Sequence, residues 1–171
     1  MFKMNLFHVT LRGSMLAAIG LAAVLAQEPP TSTGTPKSFD AAADTALVAM
    51  RQKALELKIG GVAVVGFFQG ETAQSWSSKM VVVGRMKDDP APGNKGANLL
   101  AIAYAKATEM VDSHCNSGHA GRPPMTGEFG WEGGVIARTA TGYAIAAFSG
   151  GKSADDVEVS KAGLEALRRG L

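Results

Sequence analysis

The stretch Gly61–Gln69, GVAVVGFFQ, is apolar at both alternating sets of positions. Side chains along a strand point alternately to opposite faces, so a strand with no polar set must be covered on both faces. This segment therefore predicts an interior strand, and the rest of the chain must supply what covers it.

Helical spacing appears on either side of it. Phe39, Ala43, Leu47, Met50, Ala54 and Leu57 recur every three or four positions, which predicts a helix capped by Ser38 or Asp40 and ended by Gly60-Gly61. A second strand passes through Met80–Val83, after a turn at Gln69-Gly70-Glu71. Asp88–Lys95, DDPAPGNK, is dense in turn formers and predicts an exposed loop. A second helix runs from about Lys95 to His114, with Leu100, Ala103, Tyr104, Ala107, Met110 and Val111 as its buried stripe. Val135–Thr139 and Tyr143–Phe148 form a hairpin around Thr141-Gly142. The last helix, about Ser153–Arg169, carries Asp155 and Asp156 in its first turn and Arg168 and Arg169 in its last, as its dipole favours. Ser153 is placed to cap it. The order α-β-β-α-β-β-α describes an α+β domain, an antiparallel β-sheet with packed helices.

The ends of the chain change its charge. Residues 1–26 combine basic Lys3 and Arg12, the apolar run Met15–Ala26 and small residues at Val24-Leu25-Ala26, the pattern of a secretory signal peptide. The run is short for a membrane span, so a retained anchor is the lesser alternative and no stable membrane insertion is expected after cleavage. Residues 27–37, rich in Pro, Thr, Ser and Gly, read as a flexible leader, and residues 38–171 as one domain. The whole chain has 17 Lys+Arg and 15 Asp+Glu; without Lys3 and Arg12 there are 15 of each. A formally neutral mature chain lacks the clustered basic face that a nucleic-acid partner requires. Cys115 is the only cysteine, so no intramolecular disulfide forms in a periplasmic or secreted setting.

Residues able to carry chemistry gather after the second helix. His114 and His119, the two histidines beyond the signal segment, lie in H-C-N-S-G-H, with Met125 six residues on. Imidazole, thiolate and thioether are the side chains that bind haem iron or soft metals. A buried helix-end His114 beside the glycine-rich stretch Cys115–Gly134 suits an axial nitrogen; the plainer reading makes it a helix-terminal residue and His119 loop surface. Trp131 in that stretch either covers a planar ligand or anchors the loop.

Other motifs fail. There is no Cys-x-x-Cys-His for covalent haem and no His-Glu-x-x-His for zinc. Gly151-Lys152-Ser153 is not a phosphate loop, because Ala146 stands where the earlier glycine belongs. Ala147 breaks the nucleophile pattern around Ser149. The pairs Asp155/Asp156 and Glu128/Glu132 read as solvated surface.

Ala144–Leu167, a strand running through Ser149-Gly150-Gly151 and Asp155-Asp156 into a helix, resembles the C-terminal signature of the GlcG/HbpS-like haem-binding family. Tyr104–Thr108, Arg85-Met86 and Glu132-Gly133-Gly134 resemble further motifs of that family in the same order, so the likeness covers about Asp40–Leu167. It departs where Val135-Ile136 follow the glycine pair, where Gly66-Phe67 replace an aspartate, and where Glu71–Lys79 lengthens the approach to the second strand. The resemblance implies a profilin-like fold, like the C-terminal domain of PduO-type proteins, a tetrapyrrole partner and a homo-oligomer. Haem is the expected cofactor, with a corrinoid as alternative. The resemblance transfers no ligand residue. From the residues themselves, His114 or His119 would ligate iron, and Arg122 or Lys152 would pair with propionates. The rival readings are a haem-degrading or other small-molecule enzyme using the same pocket, and a cofactor-free assembly or sensory accessory domain.

Overall fold

The structure is a computed structural model and describes residues 37–171. The signal segment, His8 and all of the leader but Lys37 lie outside the described residues. In order, the elements are α1 (Lys37–Glu56), β1 (Gly61–Gln69), β2 (Ser77–Val83), β3 (Lys87–Asp88), β4 (Ala97–Asn98), α2 (Leu99–Ser113), β5 (Gly134–Arg138), β6 (Gly142–Ser149) and α3 (Ser153–Gly170). The fold is α+β, as the apolar patterning predicts. A two-residue ladder, β3 with β4, brackets the loop expected at Asp88–Lys95, and β4 takes residues expected at the start of the second helix.

The main sheet is antiparallel throughout, in the order β2-β1-β6-β5. The two strands with no polar set, β1 and β6, occupy its centre and are buried almost end to end. Alternation divides their side chains between two layers. Ala63, Val65, Phe67, Ala144, Ala146 and Phe148 pack against α1 and α3 on one face. Val62, Val64, Phe68, Tyr143, Ile145 and Ala147 face α2 on the other.

The helix boundaries depart from expectation for local reasons. Helix α1 already includes Ser38, and Asp40 sits in its first turn instead of capping it. It ends at Glu56, before Gly60-Gly61. Lys58 takes a left-handed conformation (φ 56°), and Lys58 N–H and Ile59 N–H bond to the carbonyls of Leu55 and Ala54 at 3.1 and 3.0 Å. That double closure is a Schellman motif with lysine in the position glycine usually fills. Helix α2 begins four residues later than expected, because the Asn98 side chain accepts from Ala101 N–H at 3.0 Å and caps it. Its stripe is also turned. Leu99, Ile102, Ala103, Ala107 and Met110 are buried, whereas Leu100, Tyr104 and Val111 are only partly covered.

Ser153 does not cap α3; the cap position is Lys152, without a side-chain bond. Asp156 serves instead by accepting from Gly151 N–H at 2.8 Å. Gly150 (φ 152°) lies so close to the Gly60 carbonyl that a Cβ there would overlap it, so the Ser149-Gly150-Gly151 turn does bring the backbone tightly against its neighbour.

Candidate functional site

Among the described residues, α2 lines two cavities, the larger of them at its C-terminal end. His114 closes the helix in the left-handed region (φ 54°), its N–H bonded to Met110 O at 2.9 Å. Ser113 Oγ donates to Glu109 O at 2.7 Å and accepts from Cys115 N–H at 3.2 Å, which fixes the exit of the chain. The imidazole is exposed, contrary to the buried position expected for it. It lies flat on Tyr143, ring centroids 4.4 Å apart and planes 14° apart, and Tyr143 in turn stacks on Phe68 at 5.3 Å. Facing this stack is the irregular segment from Glu71 to Trp76. The indole of Trp76 fits over Gly66, where a Cβ would just touch it at 3.4 Å, and meets Tyr104 edge-on. Between these walls lies a cavity of about 630 Å³, lined also by Ala73, Thr108, Val111 and Asp112.

Two arginine–carboxylate pairs stand at its rim. Glu71 is ion-paired with Arg138 and accepts from Tyr143 Oη at 3.1 Å. The tyrosine hydrogen bond is the main cause of its lowered pKa; Arg138 adds to the effect, against partial desolvation. Asp112 is bonded to Arg122 at 2.6 Å. Behind it, both Glu128 oxygens accept from Arg122, at 2.7 and 2.9 Å, and Oε2 also accepts Met125 N–H at 2.8 Å. Those bonds draw the Glu128 carboxyl from 4.5 down to about 2, the guanidinium contributing most, and raise Arg122. Glu128 is thus a sequestered partner, its side chain 8% exposed, where solvated surface was expected.

The smaller cavity, about 210 Å³, lies toward the N-terminal end of α2, around a buried ion pair. Lys106 Nζ donates to Asp156 Oδ2 and to Phe148 O, each at 2.8 Å, and both charged side chains are 4% exposed. Asp156 was expected on the surface. It is buried because the helix dipole, Gly151 N–H and Lys106 together replace its water. Gly133 (φ 131°) passes so near that a Cβ would collide with Lys106 Nζ.

The residues singled out from the sequence do not form one site. His114 lines the large cavity, and Arg122 reaches its wall through Asp112. His119 lies on the loop with its Nε2 3.1 Å from Glu132 and does not line that cavity. Met125 is half exposed. Trp131, also half exposed, stacks on Phe129 at 4.8 Å and lines the small cavity. Lys152 is exposed at the start of α3. Reading the sequence missed Glu71, Trp76, Asp112 and Tyr143. The only local signal for Trp76 is the extra length of Glu71–Lys79 opposite Gly66, a small residue in an otherwise apolar strand. Among the described residues no three His, Cys, Asp or Glu side chains cluster to hold a metal ion by themselves. No described helix is long and apolar enough to cross a membrane.

No protein-family model matches the chain, and no curated protein matches it. Among solved structures it is similar to Klebsiella pneumoniae protein ORFY, described under the family model DUF336, with 15% identity and a TM-score of 0.47 over 74% of this chain and 88% of that one. It is similar to the same degree to a PduOC–heme complex, over 74% of this chain and 91% of the other. Residue roles do not transfer at this identity.

Proposed function

We propose that this chain is an exported protein that binds haem non-covalently in the large cavity, where His114 would hold its iron. One observation carries the assignment to this residue. Of the two described histidines, only His114 lines the cavity, and among the described residues neither of its imidazole nitrogens has a hydrogen-bond partner. His119 is engaged with Glu132 and stands elsewhere.

The surroundings fit a flat, largely apolar ring system. The volume lies within the usual few hundred to about 1,000 Å³ of ligand pockets. Trp76, Ala73 and Val111 offer apolar walls, and Tyr143 fixes the plane of the imidazole from below. A bound haem would supply an iron centre whose properties follow from its axial ligand and the polarity around it. This chain's part is to present the imidazole, to exclude water on the Trp76 side and to hold charged groups at the rim. The sequence resemblance to the GlcG/HbpS-like family supports the tetrapyrrole class and a homo-oligomer. The basic start and apolar run of residues 1–26 support a periplasmic or secreted location.

Titration of haem into residues 27–171 tests the reading. The wild-type protein and His119→Ala should give a saturable, red-shifted Soret band. His114→Ala and His114→Gly should lose it, the glycine variant keeping the left-handed helix closure. An unchanged spectrum and affinity in both His114 variants would sink the ligand assignment. A featureless wild-type titration would sink haem itself, and cobalamin would be titrated next.

A further inference from the structure

We propose that Arg122 is the cavity's receptor for a ligand carboxylate, that Glu128 holds it in position, and that Asp112 occupies it until the ligand displaces it. This rests on the reading of the large cavity as a tetrapyrrole site and adds to it the requirement that the ring carry a free carboxylate.

The two acids on Arg122 are held very differently. Glu128 is nearly buried, accepts from both Nη1 and Nη2 of the guanidinium and also accepts Met125 N–H. A fork of this kind sets the orientation of the guanidinium plane. Asp112 makes a single contact, to Nη2, and its side chain is 56% exposed. Removing Asp112 from Arg122 therefore returns a mostly hydrated carboxylate to water, whereas Arg122 stays where Glu128 keeps it. Exposed ion pairs of the Asp112 kind contribute little, so the exchange is cheap.

The position of Asp112 makes the exchange meaningful. It lines the cavity, two residues before His114, and is ion-paired with Arg122, which does not line the cavity itself. No lysine or arginine is among the described residues lining the cavity. An anionic ligand consequently finds cations only behind rim acids. The other pair offers a poorer exchange, since Glu71 is bound by Tyr143 as well as Arg138, and Arg138 also lies over the Tyr143 ring at 5.7 Å. A ligand carboxylate on Arg122 would take the place of Asp112 and leave every other contact intact.

The experiment compares haem with its dimethyl ester, titrated into wild type, Asp112→Asn, Arg122→Gln and Arg122→Lys. Thermal unfolding of each variant verifies that it is folded. Asp112→Asn should tighten haem roughly two- to fivefold, the worth of one exposed charged pair, and leave the ester unchanged. Arg122→Gln should weaken haem and not the ester, and Arg122→Lys should restore part of the loss. Variants that shift both ligands by the same factor, or neither, overturn the proposal while the haem reading stands. If wild type binds neither form, the haem reading falls and the proposal falls with it.

Discussion

Glu128 shows how far one carboxylate can organise an irregular loop. It gathers Arg122 and the Met125 amide around itself, and through Arg122 it reaches Asp112 on α2. Because its folded pKa is depressed to about 2 from 4.5, its contribution to stability is complete above the ordinary value and is lost as pH falls toward 2. Glu128→Gln should therefore lower stability at neutral pH and flatten the acid limb of unfolding between about pH 4.5 and 2. Carboxyl chemical shifts followed through an acid titration check the cause, and a Glu128 that titrates near 4.5 refutes it. None of this is visible in the sequence, where Glu128 has only glycine, threonine and Phe129 for near neighbours. The partner that sequesters it lies six residues away around a turn, and loop geometry of that kind has no periodic signature.

Among the elements, legibility follows burial pattern. Strand β1 begins and ends where its doubly apolar run does, because a strand covered on both faces leaves no choice of register or length. Helix ends were harder, since both α1 and α2 close on non-glycine residues in the left-handed region. A glycine rule points past Lys58 to Gly60, and nothing in the sequence announces that His114 closes α2 in the left-handed region. The stripe on α2 misled for a related reason. Lys106 and Glu109 lie inside, a placement no apolar period predicts, and Tyr104 and Val111 are left only partly covered, Val111 lining the large cavity. Lys58→Gly should stabilise the protein by about 1 kcal/mol, the left-handed strain relieved less the entropy a glycine adds to the unfolded chain. Denaturant unfolding measures it; an unchanged or lower midpoint would show that Lys58 bears no strain.

At the scale of the whole molecule, the Lys106–Asp156 pair joins the two helical layers across the end of β6. Lys106 comes from α2 on one face and Asp156 from α3 on the other, and Lys106 Nζ also donates to the strand carbonyl of Phe148. Lys106→Met should cost about 3–5 kcal/mol, because it strands a buried carboxylate. Adding Asp156→Leu should recover part of that but not all, since Gly151 N–H then loses its acceptor. Equilibrium unfolding of the single and double variants decides it: equal losses would mean that the charge is not the issue. The lopsided layering has a further outcome. Among the described residues, two helices cover one face of the sheet, but one helix about 10 Å wide sits over the other, where the outer strand axes lie about 14 Å apart. It cannot roof the whole surface, and both cavities open beside it, one toward each end. Among the described residues, both hollows lie where one helix must cover a face as wide as the one that two helices cover.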